Sequence, residues 1–114
     1  MYVAEVISPQ TFRQLHLTVD EDGFMLDQQQ WSSDVAQQIA MLAGLGPLSD
    51  EDWRLIDVVR TRYFSFGAAP SMRDMCREMG VRKVAVQQRF GSCRNMWQIA
   101  GLPNPGEEMM AYMA

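Results

Sequence analysis

A cysteine can serve as nucleophile, sulfur carrier or metal ligand, and this chain of 114 residues has two, Cys76 and Cys93. They form no CxxC pair, stand at no zinc-binding spacing from histidine, and are too few for a disulfide framework. Cys93 stands four residues before Trp97 and beside Arg94, so on a helix it shares the face of Trp97, with a neighbouring cation to lower its pKa. Against this stands the plainer expectation that Cys93, and Cys76 among Met72, Met75 and Met79, behave as small hydrophobes on packed helices. Cys93 is thus the only candidate for covalent chemistry, and no independent catalytic activity is expected. His16, the single histidine, alternates outward on an expected strand and reads as solvent-facing rather than catalytic. Gly44-Leu45-Gly46 lacks both the lysine of a phosphate loop and the second half of a dinucleotide fingerprint. Asp20-Glu21-Asp22 lacks the later ligands of a calcium loop and reads as a turn. No metal and no cofactor are expected.

Charge is distributed unevenly. Residues 1–59 hold ten acidic and two basic side chains, and residues 60–94 hold eight basic and two acidic ones, within a net charge of −4. A basic segment inside an acidic chain is a footprint for nucleic acid or an acidic partner, or simply a solvated helical surface. It also carries a helix-turn-helix pattern, with Cys76 as the small residue of the first helix, Gly80 at the turn and Val86 as an apolar contact in the second. Arg73, Arg77, Arg82, Lys83, Gln87 and Arg89 would then contact phosphates, base edges or acidic side chains, with Gln88 alongside them.

The elements that would position these residues follow from periodicity and caps. Leu15, Leu17 and Val19 alternate with polar neighbours and predict a half-buried strand; residues 2–7 predict another, joined to it through the Ser8-Pro9 turn, and Phe24-Met25-Leu26 a short third. Helices are predicted from Ser32 or Ser33 with an apolar stripe of Val35, Ala36, Ile39, Ala40 and Leu42, and from Ser49 with Trp53, Ile56, Val59, Tyr63 and Phe66 inside and Gly67 as the stop. Three more run from Ser71 to Met79, from about Arg82 to Phe90, and from Ser92 to Ala100, with Met72, Met75 and Met79 as core. The expected class is α+β: a small N-terminal antiparallel β-meander packed against about five helices, as one domain over residues 1–101 with an arm over 102–114.

Three groups of residues have a further meaning when taken in order: Asp20-Glu21-Asp22-Gly23-Phe24, the helix start from Trp31 to Ala36, and Ala100-Gly101-Leu102-Pro103-Asn104-Pro105. Together with Leu48 to Trp53, Ile56 with Arg60, and Ala69-Pro70 to Arg73, they resemble the DsrC/TusE family, gamma-subunit-like proteins of dissimilatory sulfite reductase and of sulfur relay. The resemblance implies a meander sheet on helices with a mobile C-terminal arm. It also implies protein partners, sulfite reductase or sulfur-transfer proteins, whose siroheme and iron–sulfur centres belong to other subunits. In that family a thiolate at the end of the arm carries sulfur, which requires reach and exposure. Here the position of the terminal cysteine falls at Met113 or a neighbour in a lengthened tail, and the second family cysteine falls at Trp97.

The tail itself has helix-forming residues after Gly106, and its methionines suit an adaptable docking face. Leu102, Pro103, Pro105, Met109, Met110, Tyr112 and Met113 are therefore expected to form a partner-binding or self-capping arm, whose removal from Pro105 onward weakens binding without unfolding the domain. The leading expectation is a DsrC-like protein of sulfur metabolism that binds or regulates protein partners without the arm-cysteine carrier. A helix-turn-helix DNA-binding regulator using Arg82 to Arg89 comes next, and sulfur relay through Cys93 third. No apolar run approaches the length of a membrane span and the N-terminus has no signal core, so a cytoplasmic location is expected.

Overall fold

The computed structural model describes residues 7–67 and 71–113, and over them the chain is helical, with no sheet. Seven helices follow one another: α1 (Pro9–Gln14), α2 (Ser33–Leu42), α3 (Asp50–Phe66), α4 (Met72–Met79), α5 (Lys83–Phe90), α6 (Cys93–Ile99) and α7 (Glu107–Ala111), with one 3-10 turn at Gln28–Gln30. Serine side chains cap five of them: Ser8, Ser32, Ser49, Ser71 and Ser92 each accept a hydrogen bond from a backbone N–H of the first turn, satisfying donors that have no partner inside the helix. At α3 the cap is reciprocal, with Ser49 Oγ accepting from Asp52 N and Asp52 Oδ2 accepting from Ser49 N.

The expected α+β class with an N-terminal β-meander is corrected by this architecture. Ser8-Pro9 starts a helix instead of turning a hairpin, because proline at the first helical position lacks an N–H that would go unbonded anyway and brings φ already set. The alternation of Leu15, Leu17 and Val19 is not that of a strand. Leu15 ends α1, His16 takes φ +59, and Leu17 N donates back to Phe12 O, which turns Leu17 inward beneath the helix. Only Val19 pairs, in an isolated antiparallel bridge to Met25. A period of two over five residues is reproduced here by a helix end and a turn, so the pattern was too short to discriminate. Of the first expected strand, residues 1–6 lie outside the described residues, as do Ala69 and Pro70 of the α4 entry.

α6 is the centre of the core. All its residues except Arg94 are buried, and it touches α2, α3 and α5. Met72, Met75 and Met79 of α4 are buried as the spacing predicts. Val35, Trp53 and Tyr63 are half-buried against this core, and Leu42 and Phe66, predicted inside but standing at the last residues of α2 and α3, project into solvent.

Candidate functional site: the C-terminal arm and its seat

The C-terminal end of α6 leaves carbonyls without helical partners, and three side chains from distant positions meet them in succession. Trp31 Nε1 donates to Ile99 O at 2.9 Å, Arg60 Nη1 to Ala100 O at 2.6 Å, and Gln28 Nε2 to Gly101 O at 2.5 Å. The Arg60 guanidinium also lies over the Trp31 ring, 3.7 Å from its centroid, a cation–π contact that holds both donors in place. Gly101 adopts φ +72, and a Cβ there would overlap the Trp31 ring, so the position requires glycine for conformation and for space.

From Gly101 the arm runs back along α6 toward its N-terminus. Leu102 is fully buried, and Pro103 O accepts from Trp97 Nε1 at 2.7 Å, with the Trp97 ring edge-on to Tyr63. Asn104 Nδ2 reaches Asp20 Oδ2 at 3.1 Å and Asp22 Oδ2 at 3.4 Å, while its Oδ1 accepts from Gly106 N. The Asp20–Phe24 turn that receives Asn104 is itself fastened to α6, because Gln98 Nε2 donates to Asp22 O and Gly23 O, and Arg94 Nη2 to Asp22 O. α7 then buries Met109, and Met113 beyond it is buried with its carbonyl accepting from Arg94 N in the first turn of α6. The arm is therefore seated on the domain. Of its expected contact residues, Leu102, Met109 and Met113 face the core, Pro103, Pro105 and Met110 are half-buried, and Tyr112 is exposed.

The thiols are placed for packing. Cys93 is completely buried, and loss of solvent, with a smaller contribution from Cys76, pushes its pKa up to about 11 despite Lys83. Arg94, expected to depress it, points instead to Asp22 O and the Phe24 ring. Cys76 is half-buried, and desolvation raises its pKa too.

The basic helical pair divides. Arg89 is committed to Asp52, bonding both carboxylate oxygens at 2.5 to 2.8 Å and reaching toward Leu45 O and Pro47 O. Asp52 is buried; desolvation favours its neutral form, but Arg89 and the Ser49 cap outweigh that and hold its pKa below the usual value. Arg73, Arg77 and Arg82 are exposed, and Lys83 and Gln87 are half-exposed. Among the described residues no group of three His, Cys, Asp or Glu side chains is arranged to hold a metal, and no helix is long and apolar enough to cross a membrane.

The model of the family described as DsrC like protein matches residues 11–108. The chain belongs to the DsrC family. It is 30% identical over 102 residues to the Sulfurtransferase TusE homolog of Haemophilus influenzae, covering 82% of this chain and 93% of that protein. It is 28% identical over 97 residues to the dissimilatory-type sulfite reductase subunit gamma of Nitratidesulfovibrio vulgaris, covering 83% and 92%. Among solved structures, the oxidized gamma-subunit of dissimilatory sulfite reductase from Archaeoglobus fulgidus superposes with a TM-score of 0.64 at 28% identity, over 79% of this chain and 90% of that one. Of the residues that carried the resemblance to the DsrC family, Trp31, Arg60, Asp20–Phe24 and Gly101–Pro103 converge on α6 and the root of the arm. Sequence reasoning missed Gln28, Gln98 and Asn104, which complete the seat; lone polar residues in loops or on a helix carry no periodic signal.

Proposed function

We propose that this DsrC-family chain acts in sulfur metabolism by binding a protein partner, in a binding or regulatory role, and does not carry sulfur on its arm. The observation that carries this reading is the seated C-terminus: Met113 is buried with its carbonyl on the first turn of α6, and Trp97 is packed between Tyr63 and Pro103. Neither position offers a thiol that could form a thiolate, and neither is exposed to a donor. The names of the relatives, a sulfurtransferase homolog and a sulfite reductase subunit, support sulfite reductase or sulfur-transfer proteins as the partner class. Relay through Cys93 would need a thiolate that solvent and partners can reach, whereas Cys93 is buried and its thiol is poorly ionised.

The test combines two measurements on the full chain. Incubation with a persulfide donor followed by intact mass, beside a Cys93→Ser control, is expected to show no one-sulfur gain that depends on Cys93. Capture of purified dissimilatory sulfite reductase by the immobilised chain is expected to succeed, and to succeed equally with Cys93→Ser. A Cys93-dependent sulfur gain would restore the relay reading.

A further inference from the structure

Two cavities adjoin on the face formed by α4, the α4–α5 turn and the end of the arm. The larger, about 620 Å³, is lined by Met72, Cys76 and Val81, by the cations Arg73, Arg77, Arg82 and Lys83, and by Tyr112. The second, about 470 Å³, shares Met72, Arg73 and Tyr112 with the first and extends toward Pro105, Glu108 and Met109. Through the residues they share they make one continuous trough, cationic at the α4–α5 end and mixed apolar and polar at the arm end. Among the described residues no ion pair engages Arg73, Arg82 or Lys83, and Arg77 has only an exposed contact with Asp74 at 3.8 Å. Among the described residues Glu108 is the one carboxylate lining either cavity. The first turn of α5, whose N-cap Arg82 makes no side-chain cap, adds the partial positive charge of its amides at the cationic end. Tyr112 is 60% exposed, a large amphipathic ring left at the trough wall although its neighbours Met109 and Met113 are buried.

We infer that this trough is a docking site for an acidic segment of a protein partner, with carboxylates against Arg73, Arg82 and Lys83 and an apolar side chain against Met72 and Tyr112. This rests on the reading that the chain binds a protein. Charge complementarity selects an acidic occupant, and the apolar side chains of Met72, Val81 and Tyr112 among the cations suit a peptide that carries an apolar residue better than a uniformly charged phosphate backbone. Because Tyr112 forms one wall, the site exists in this form only while the arm is seated.

The probe is a fluorescein-labelled peptide of four glutamates followed by leucine and phenylalanine, with the glutamine version as control and a short duplex DNA as competitor, each titrated against the full chain by anisotropy. The acidic peptide is expected to bind saturably, more weakly as salt rises, and to slow alkylation of Cys76, which lines the trough. Joint Arg82→Glu and Lys83→Glu substitution is expected to weaken binding about tenfold or more. Tyr112→Ala, at an exposed position that leaves the fold intact, is expected to weaken it without changing its salt dependence. Equal binding of the glutamine peptide, no binding of the acidic one, indifference to the charge reversal, or tighter binding of the DNA would each overturn the proposal. If sulfite reductase is captured equally well by the charge-reversed chain, the trough fails and the protein-binding reading stands; if the peptide binds and sulfite reductase does not, sulfite reductase fails as the partner and the trough stands.

Discussion

Cys93 shows how burial cancels chemistry that a residue type seems to offer. With a thiol pKa of about 11, near neutrality only about one molecule in ten thousand holds the thiolate. Alkylation of the native chain should therefore modify Cys76 slowly and leave Cys93 intact, while unfolding in urea releases both; intact mass reads one adduct against two. Gly101 makes the opposite case, a residue whose lack of a side chain is its function. Gly101→Ala is expected to cost about 2 to 4 kcal/mol, from positive φ and overlap with Trp31, as a fall in the urea midpoint. The Asp52–Arg89 pair adds a pH dependence. Because the folded pKa of Asp52 lies below its ordinary 3.8, the stabilisation is complete above about pH 5 and fades as pH falls through 3.8 and past the folded value. Wild type and Asp52→Asn should accordingly differ most near neutrality and converge in acid. Arg89→Met, which strands a buried carboxylate, is expected to cost about 2 to 3 kcal/mol, less than a fully buried pair would because Arg89 itself is a third exposed.

α6 is short, seven residues, and would not hold as an isolated helix. Its stability comes from what fastens both ends. Ser92 and the Met113 carbonyl meet its first turn, and Gln28, Trp31 and Arg60 meet its last carbonyls. Arg60→Ala should remove one of these donors together with the stacking on Trp31, at about 1 to 3 kcal/mol, and the Trp31 fluorescence should shift toward that of a solvated indole. The caps of α2, α3, α4 and α6 were legible in the sequence because a serine cap acts over three residues and needs nothing distant. The N-terminal elements were not: alternation over Leu15 to Val19 is shared by a strand and by a helix that ends in a left-handed residue, and no local signal separates His16 at φ +59 from a strand residue.

At the scale of the molecule the arm is a structural member. Removing residues 105–114 deletes the buried Met109 and Met113, and with them about 3 to 6 kcal/mol of apolar burial. The truncated chain is thus expected to melt well below the full one, measured by circular dichroism, whereas a mere appendage would leave the melting temperature unchanged. The charge asymmetry has a comparable whole-molecule outcome. Of the basic residues gathered between positions 60 and 94, Arg60 and Arg89 serve the interior, and Arg73, Arg82 and Lys83 are left to the trough. By itself the sequence determined most helix starts, the methionine core of α4, the family, and the absence of any cysteine after Cys93, since caps, periodicity and residue identity are local properties. Only the tertiary structure decided that Arg94 faces away from Cys93, that Arg89 is spent on Asp52, and that the arm is seated. Each of these depends on contacts between residues tens of positions apart, or on burial, which no short window of sequence contains.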